Sequence, residues 1–270
     1  MKNKFNENIQ AGSIDNEDLA PLMYLQFLFY GVPEGKKYSH IVIDEAQDYS
    51  PYELEVMRNL ANLNSLTIVG DIGQGIYSYK GIKSWQRVIQ EVFQGSAAYM
   101  TLNQSYRSTV EIINLANKVL RHQEGDMKPG TPVLRHGKEP TLIEFKNYKL
   151  FAEEVDKIAN RIKELGKNSV AIICKSLKEC KTLRDRLNSY SDYQWQVIGD
   201  HRSELNMGNM IIPCYMTKGL EFDCSIIYNC SSNSYEVNEE DSRLLYVALT
   251  RALHEEYIFY KGKPSELLID

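Results

Sequence analysis

His40-Ile41-Val42-Ile43-Asp44-Glu45-Ala46-Gln47-Asp48 is an apolar run that ends in a cluster of acids, and it reads as a buried β-strand with its polar residues delivered at the C-terminal end. A second strand, Ser65-Leu66-Thr67-Ile68-Val69-Gly70-Asp71, ends in the same way after a helix expected from about Pro51 to Leu63. Strand, helix and strand with polar groups at the strand ends is the way parallel α/β sheets present their sites.

Outward from this pair, the segment from Asp15 to Tyr30 is leucine-rich with helical spacing, and Asp15 or Asn16 is its expected cap. The turn Gly31–Lys37 joins it to the first strand. A helix is expected around Trp85–Phe93, followed by a domain boundary near Gln94–Ala98. The pattern then restarts near Tyr99 with a strand, a helix over Ser108–Arg121 and a polar, Gly/Pro-containing stretch over Gly125–Pro140. Beyond it TLIEF, SVAIICK, QWQVI, MIIPCYMTKGLEF, SIIYNC and EYIFYK read as strands. The intervening helices are expected at Lys149–Leu165, Leu177–Asn188 and Arg243–Leu253. This alternation implies a largely parallel sheet covered on both faces. The acidic, serine-containing stretch Ser231–Ser242 reads as a solvated loop.

Composition narrows the function classes. The chain has 270 residues, 43% of them hydrophobic and 25% charged, with a net charge of −5; that suits a globular chain of one large or two modest domains. There is no apolar run of the roughly 18 residues a membrane span needs, nor a secretory leader, so no membrane partner and a cytoplasmic setting are expected. The five cysteines form no CxxC pair and the five histidines are scattered, which indicates neither a zinc site nor a disulfide framework. A net negative chain does not coat nucleic acid through bulk charge, so any such contact must be a local groove.

Five strings carry candidate chemistry. An NTPase needs one carboxylate to hold Mg²⁺, usually through water, and a second to orient and deprotonate the attacking water; Asp44 and Glu45 fit those roles. In Val69–Gly81 the glycines around Gln74 let a neutral amide sit close to a phosphate, while Tyr77, Tyr79 and Lys80 could stack on bases and meet a phosphate. Leu102–Thr109 closes a strand and opens a helix, offering Tyr106 for stacking on an adenine and Arg107 as an arginine finger. In Met216–Asp223, Gly219 permits close approach, Glu221 can bond a ribose hydroxyl, and Thr217 and Lys218 can meet a nucleic-acid backbone. Finally, Asp241–Ala252 is amphipathic, and Arg243 and Arg251, eight residues apart, are expected on one helix face. Taken singly, each string also has a plain reading as an acidic strand end, a glycine turn or a surface ion pair.

In this order the strings resemble motifs II to VI of the UvrD-like superfamily 1 helicases, and the resemblance covers most of the chain from Val42 to Ala252. It implies an α/β, RecA-like P-loop NTPase fold with mainly parallel sheets. Residues 1–98 would be the C-terminal part of a first RecA-like domain, and residues 99–270 a second without a large insertion. It also implies ATP and Mg²⁺ as cofactors, with Asp44 serving Mg²⁺ through water, Glu45 as catalytic base and Gln74 as γ-phosphate sensor. Tyr106 would stack on the base, Arg107 and Arg251 would contact the γ-phosphate, and Gly219 and Glu221 would lie at the nucleotide. Tyr77, Tyr79, Lys80, Thr217 and Lys218 would contact single-stranded nucleic acid, although the family often has tryptophan and arginine where this chain has Tyr77, Tyr79 and Lys80.

EDLAPLMYLQ, VIDEAQDYSPYE, GDIGQGIYSYKGI and LNQSYRST are most similar to the HelD, or helicase IV-like, group, whose members are associated with bacterial RNA polymerase. About a hundred residues separate Arg107 from Lys218, room for one RecA-like domain and no inserted duplex-binding domain.

The phosphate loop GxxxxGK[ST] is absent. Gly31–Lys37 imitates it with one residue too few between its glycines and a lysine in place of the hydroxyl. The expectation is therefore the C-terminal portion of a motor, inactive alone. The rival reading is a non-catalytic RecA-like module that binds RNA polymerase or nucleic acid; the presence of Glu45, Gln74, Arg107 and Arg251 together argues against decay.

Overall fold

A computed structural model describes residues 2–77, 80–125, 127–199 and 208–269, with side chains from residue 4 onward. The chain divides into two compact units, Met1–Tyr99 and Met100–Asp270.

The first unit opens with helices α1 (Lys2–Gln10) and α2 (Asn16–Tyr30). Strand β1 (Ile41–Ile43) leads through the acidic loop to α3 (Pro51–Leu60), then come β2 (Leu66–Ile68) and α4 (Trp85–Glu91). The start of α3 is fixed by a reciprocal capping box, in which the Ser50 hydroxyl accepts from the Glu53 amide and the Glu53 carboxylate accepts from the Ser50 amide, with Pro51 at the first helical position. The helix stops at Leu60, short of the expected Leu63, because Ala61 turns to an extended conformation and bridges in parallel to Tyr38, with positive φ following at Leu63 and Asn64. β1 and β2 pair in parallel, Ile41 with Leu66 through Ile43 with Ile68. The Ala46 amide then donates to the Val69 carbonyl at 2.9 Å, so the ladder holds the two polar loops together just beyond the strands. The core beneath is small: Ile43, Ala46, Leu54, Ile82, Val88 and Val92. None of the apolar residues of α2 is fully buried.

The second unit contains β3 (Gln104–Ser105), α5 (Val110–Leu120), β4 (Thr131–Pro132), β5 (Thr141–Glu144) and α6 (Tyr148–Glu164). It continues with β6 (Val170–Cys174), α7 (Leu177–Leu187), β7 (Gln196–Val197), β8 (Asn209–Pro213), β9 (Phe222–Ile227), α8 (Glu239–Leu249) and β10 (Ala252–Tyr260). Six strands form one sheet in the order β5-β10-β9-β6-β8-β7, and every strand pairing among the described residues is parallel. The mixed α/β, parallel-sheet class expected from sequence is thus present. β6 is buried along its whole length, as expected of a central strand covered on both faces. One face packs on Phe151, Val155, Ile158 and Ile162 of α6 and on Cys180, Leu183 and Leu187 of α7; their three- and four-residue spacing is that of amphipathic helices.

Two expectations are corrected. The run MIIPCYMTKGLEF is not one strand. β8 ends at Pro213, a helical turn spans Cys214–Met216, and β9 begins at Phe222. Nor is Ser231–Ser242 a solvated loop leading to a helix at Arg243. Tyr235, Asp241 and Ser242 are buried, and α8 already starts at Glu239, capped by the Asn238 side chain on the Asp241 amide. The carboxylate of Asp241 accepts from the Glu236 amide at 2.8 Å and pairs with Lys175 at 2.5 Å, so its charge is compensated within the fold.

Candidate nucleotide and nucleic-acid site residues

In the first unit, Asp44 is exposed at the end of β1, and its carboxylate accepts the Glu45 amide at 2.8 Å. Glu45 adopts a left-handed backbone conformation (φ 50°, ψ 37°), which an L-residue with a long side chain occupies at a cost of about 1–2 kcal/mol. Its side chain is fixed by Gln47, whose Nε2 donates to Glu45 Oε2 at 2.5 Å. Gln47 is fully buried, and its Oε1 accepts from the Asp71 amide at 2.9 Å. Asp71 in turn accepts from the Gly73 amide and from Gln74 Nε2, both at 2.9 Å. Glu45, Gln47, Asp71 and Gln74 therefore form one hydrogen-bonded chain across the ends of β1 and β2. Gln47 is the member that sequence reasoning passed over; the signal was an amide inside an otherwise acidic string.

Gly70 owes its identity to the same residue, since a Cβ there would lie 2.5 Å from Gln47 Oε1. Lys80 Nζ lies 5.7 Å from the centre of the Tyr77 ring and 3.9 Å from Glu53. Tyr79 lies outside the described residues.

In the second unit, Tyr106 is 69% exposed and donates its hydroxyl to Gln104 at 2.6 Å, leaving the ring faces available for stacking. Arg107 and Glu221, predicted as finger and ribose contact, are brought together as an ion pair at 2.5 Å, each about two-fifths exposed. The backbone of Arg107 is held by Arg135, whose guanidinium donates to the carbonyls of Arg107 and Leu253; Arg135 lies in the stretch read only as polar connection. Ser108 is buried and donates to the Ala252 carbonyl at 2.6 Å, tying the start of α5 to β10.

Gly219 has φ 74° in the turn closed by the Leu220 amide on the Thr217 carbonyl, a conformation that favours glycine. Lys218 is half-buried beside it. Thr217 is fully buried, with its hydroxyl donated to the Cys214 carbonyl at 2.7 Å.

Arg251 is 1% exposed. Its Nε donates to the Val247 carbonyl at 3.0 Å, its Nη1 reaches the carbonyls of Thr217 and Leu220 at 3.5 Å, and its Nη2 donates to Thr250 Oγ1 at 3.0 Å. Because α8 ends at Leu249, Arg243 and Arg251 do not share a helix face; Arg243 instead pairs with Glu239 one turn earlier.

A surface cavity of about 290 Å³ in this unit is lined by Lys175, Ser234, Glu236, Asn238 and Asp241 among others and contains none of the predicted site residues. Among the described residues no group of three or more His, Cys, Asp or Glu could hold a metal ion, and no helix is long and apolar enough to cross a membrane. A single exposed carboxylate such as Asp44 fits the habit of Mg²⁺, which keeps several waters and takes one or two carboxylates plus substrate phosphates. Burial pushes the Cys214 thiol up to about 12, so this cysteine beside the 217–220 turn is a packed, unreactive group.

Three family models match in sequence order: the UvrD/REP helicase N-terminal domain over residues 32–92, and UvrD-like helicase C-terminal domains over 100–202 and 210–259. A probable DNA helicase II homolog of Mycoplasma capricolum is 27% identical over 80% of this chain and 28% of its own length. The ATP-dependent DNA helicase Rep of Buchnera aphidicola is 27% identical over 70% of this chain and 25% of its own, and DNA helicase IV of Escherichia coli is 26% identical over 84% and 35%. The chain thus spans about a quarter to a third of these curated relatives. Among solved structures, the C-terminal domain of a possible DNA helicase from Lactobacillus plantarum matches 61% of this chain and 92% of its own, at 29% identity and a TM-score of 0.51.

Proposed function

We propose, on the premise that this chain is built of UvrD-like helicase domains from the ATP-dependent superfamily 1 DNA helicases, that it is the C-terminal motor portion of a HelD-type helicase or translocase. In this reading it couples ATP hydrolysis to movement along single-stranded nucleic acid or to remodelling of RNA polymerase complexes. The observation that carries the reading is the constellation in the first unit, where Glu45 and Gln74 stand at the ends of adjacent parallel strands and are joined through Gln47 and Asp71. The similarity to helicase IV supports the HelD assignment.

Each residue then has a task. Glu45 accepts the proton of the attacking water, and the Gln47 amide keeps its carboxylate from rotating away. Gln74 donates an amide hydrogen towards the terminal phosphate, and its tether to Asp71 limits the positions it can take. Asp44 would hold Mg²⁺ through water; when bound, the ion neutralises charge on the phosphate oxygens. On the second unit Tyr106 offers a face to the base. Arg107 must leave Glu221 before it can reach a phosphate, which also frees Glu221 for a ribose hydroxyl. Arg251, enclosed by carbonyls, would hold the 217–220 turn in place unless the unit rearranges.

The chain contains no GxxxxGK[ST] loop, so it is expected to hydrolyse ATP negligibly by itself. The test is steady-state ATP turnover by the chain alone and by a protein that carries it behind a phosphate-loop segment, with and without single-stranded DNA and core RNA polymerase. Stimulation by polymerase supports the HelD reading, while stimulation by DNA alone points to a conventional translocase. Turnover by the isolated chain at the level of the longer protein, abolished by Glu45→Gln, would refute the division of labour.

A further inference from the structure

Gln47 makes more contacts with the polar loops than its place in an acidic string suggests. Its side-chain nitrogen donates to Glu45 Oε2, its side-chain oxygen accepts the Asp71 amide, and its backbone carbonyl accepts the Ile82 amide at 3.0 Å. Asp71 and Ile82 bracket the segment that contains Gln74, Tyr77 and Lys80. The orientation of the Gln47 amide is dictated by chemistry: reversing it would set its oxygen against the Glu45 carboxylate and its NH₂ against the Asp71 N–H.

Two glycines confirm that the fit is tight. A Cβ at Gly70 would sit 2.5 Å from Gln47 Oε1 and 3.1 Å from the Gln47 amide, and a Cβ at Gly81 would collide with the Gln47 carbonyl oxygen. Gly81 and Gly70 do not have positive φ, so their lack of a side chain serves this close approach. Through Gln47 the Glu45 carboxylate is joined to the Asp71 amide at the start of that segment.

We propose that Gln47 is a positioning residue that clamps both ends of the 71–82 segment to the Glu45 carboxylate, so that a change at the base is felt where Gln74, Tyr77 and Lys80 are carried. The inference rests on the proposed role of Glu45 as base, but the clamp can be tested without it. A hydrolysis step that draws Glu45 towards water would relax the Gln47 amide, and the same amide that loses its anchor also holds Asp71. A shift in register at Asp71 passes directly to Gln74 through the Asp71–Gln74 bond.

The experiment measures residue-resolved amide exchange by NMR on the whole chain for Gln47→Met, Gln47→Glu, Glu45→Ala and Glu45→Gln, together with binding of a fluorescent oligo(dT). In Gln47→Met, exchange at Asp71, whose acceptor is the lost side-chain oxygen, is expected to accelerate about tenfold, while Ile82, which keeps its bond to the residue-47 carbonyl, responds less and β6 and α6 amides of the second unit stay at wild-type rates. Gln47→Glu keeps an acceptor for Asp71 but sets a carboxylate against Glu45, and it should fall between wild type and Gln47→Met. The decisive pair is at Glu45. Glu45→Ala removes the anchor and should speed Asp71 exchange about threefold, whereas Glu45→Gln retains an acceptor for Gln47 Nε2 and should restore the wild-type rate. A residue that merely filled space at position 47 would not transmit that difference.

Weaker oligo(dT) binding in Gln47→Met, similar to that of Lys80→Ala, would extend the clamp to the strand-contacting segment. If the wild-type chain does not bind oligo(dT), the nucleic-acid role of that segment fails and the exchange data alone decide the clamp. If Gln47→Met unfolds the first unit, the Glu45 pair decides it. Unchanged Asp71 exchange in Glu45→Ala, or in a folded Gln47→Met, overturns the proposal.

Discussion

In the first unit the residues predicted to do chemistry, Asp44, Glu45 and Gln74, stand beyond the ends of two short strands over a six-residue core, whereas in the second unit Tyr106, Arg107 and Glu221 are exposed but Thr217 and Arg251 are built into the packing. Asp44 is exposed and Glu45 is held by one amide, but Arg251 is almost fully buried among carbonyls and Thr217 has no exposed surface. A polar residue at a strand end can be discarded by the fold without loss, so its presence there speaks for a ligand. A polar residue that satisfies buried carbonyls cannot be discarded, because leaving those groups unpaired costs about 1–3 kcal/mol each. The two halves of the motif set therefore bear different evidence about function.

The sharpest way to break this contrast is to delete Arg251. Arg251→Ala removes the partner of three carbonyls and leaves a cavity, and should destabilise the second unit by roughly 3 kcal/mol. Arg107→Ala removes an ion pair whose members are both about two-fifths exposed and should cost less than about 1 kcal/mol. The chain has two tryptophans, Trp85 in the first unit and Trp195, 1% exposed, in the core of the second. Urea unfolding of a Trp85→Phe background followed by fluorescence thus reports the second unit alone. Equal losses for Arg251→Ala and Arg107→Ala would show that Arg251 is as free of structural duty as the sequence motif suggested.

A second, smaller effect concerns Glu256, buried on β10 opposite Ser225 of β9, whose hydroxyl donates to it at 2.5 Å. Burial pushes its carboxyl well above the ordinary carboxylate range, against the opposing effect of the Ser225 bond. A raised acid is stabilising in its protonated form: the contribution is complete below the unfolded value near 4.5 and is lost as pH rises towards the folded value. Stability of the second unit should fall with rising pH from about 4.5 upward, by no more than about 1.4 kcal/mol per pH unit for a single proton. Glu256→Gln should flatten that slope whatever its effect on absolute stability. A slope that survives the substitution would assign the pH dependence to another group.

How much of this was legible differs between the same two regions. The parallel pair β1 and β2 and their acidic ends follow from periodicity, since an apolar run can end in acids only where the chain leaves the core. The role of Gln47 was not legible, because whether an amide in such a string faces water or two loops depends on residues more than 20 positions away. Around α8 the failure has a local cause. Composition made Ser231–Ser242 look solvated, yet Asn238 and Asp241 stand in the N-cap and N3 relation that opens helices, and Lys175, from β6's end, neutralises the acid. The eight-residue spacing of Arg243 and Arg251 implied one helix face only if the helix continued past Leu249. Thr250 ends it, and the arginine turns inward.

The smallest predicted effect tests whether surface pairs in the second unit share in this structural role. Glu111, in the first turn of α5, accepts from His136 Nδ1 and from the Gly137 amide, both at 2.8 Å. The His136 hydrogen bond, followed by backbone N–H groups, pulls its carboxyl down to about 2, and a carboxylate at a helix N-terminus is also favoured by the exposed amides there. A depressed acid contributes stability that is complete above the unfolded value near 4.5 and is lost as pH falls towards 2. Because His136 is largely exposed, solvent screens the pair and the effect is modest. Fluorescence-monitored acid unfolding between pH 5 and pH 2 in the same Trp85→Phe background should therefore show a slightly shallower acid limb for Glu111→Gln. His136→Ala should lie between it and the parent, since the Gly137 amide remains to hold the carboxylate. If Glu111→Gln and the parent lose stability in parallel, the loop at residues 136–137 is held by something other than Glu111. The inward-turned Arg251 would then be a local feature of its own turn, and the contrast between the two units would rest on that turn alone.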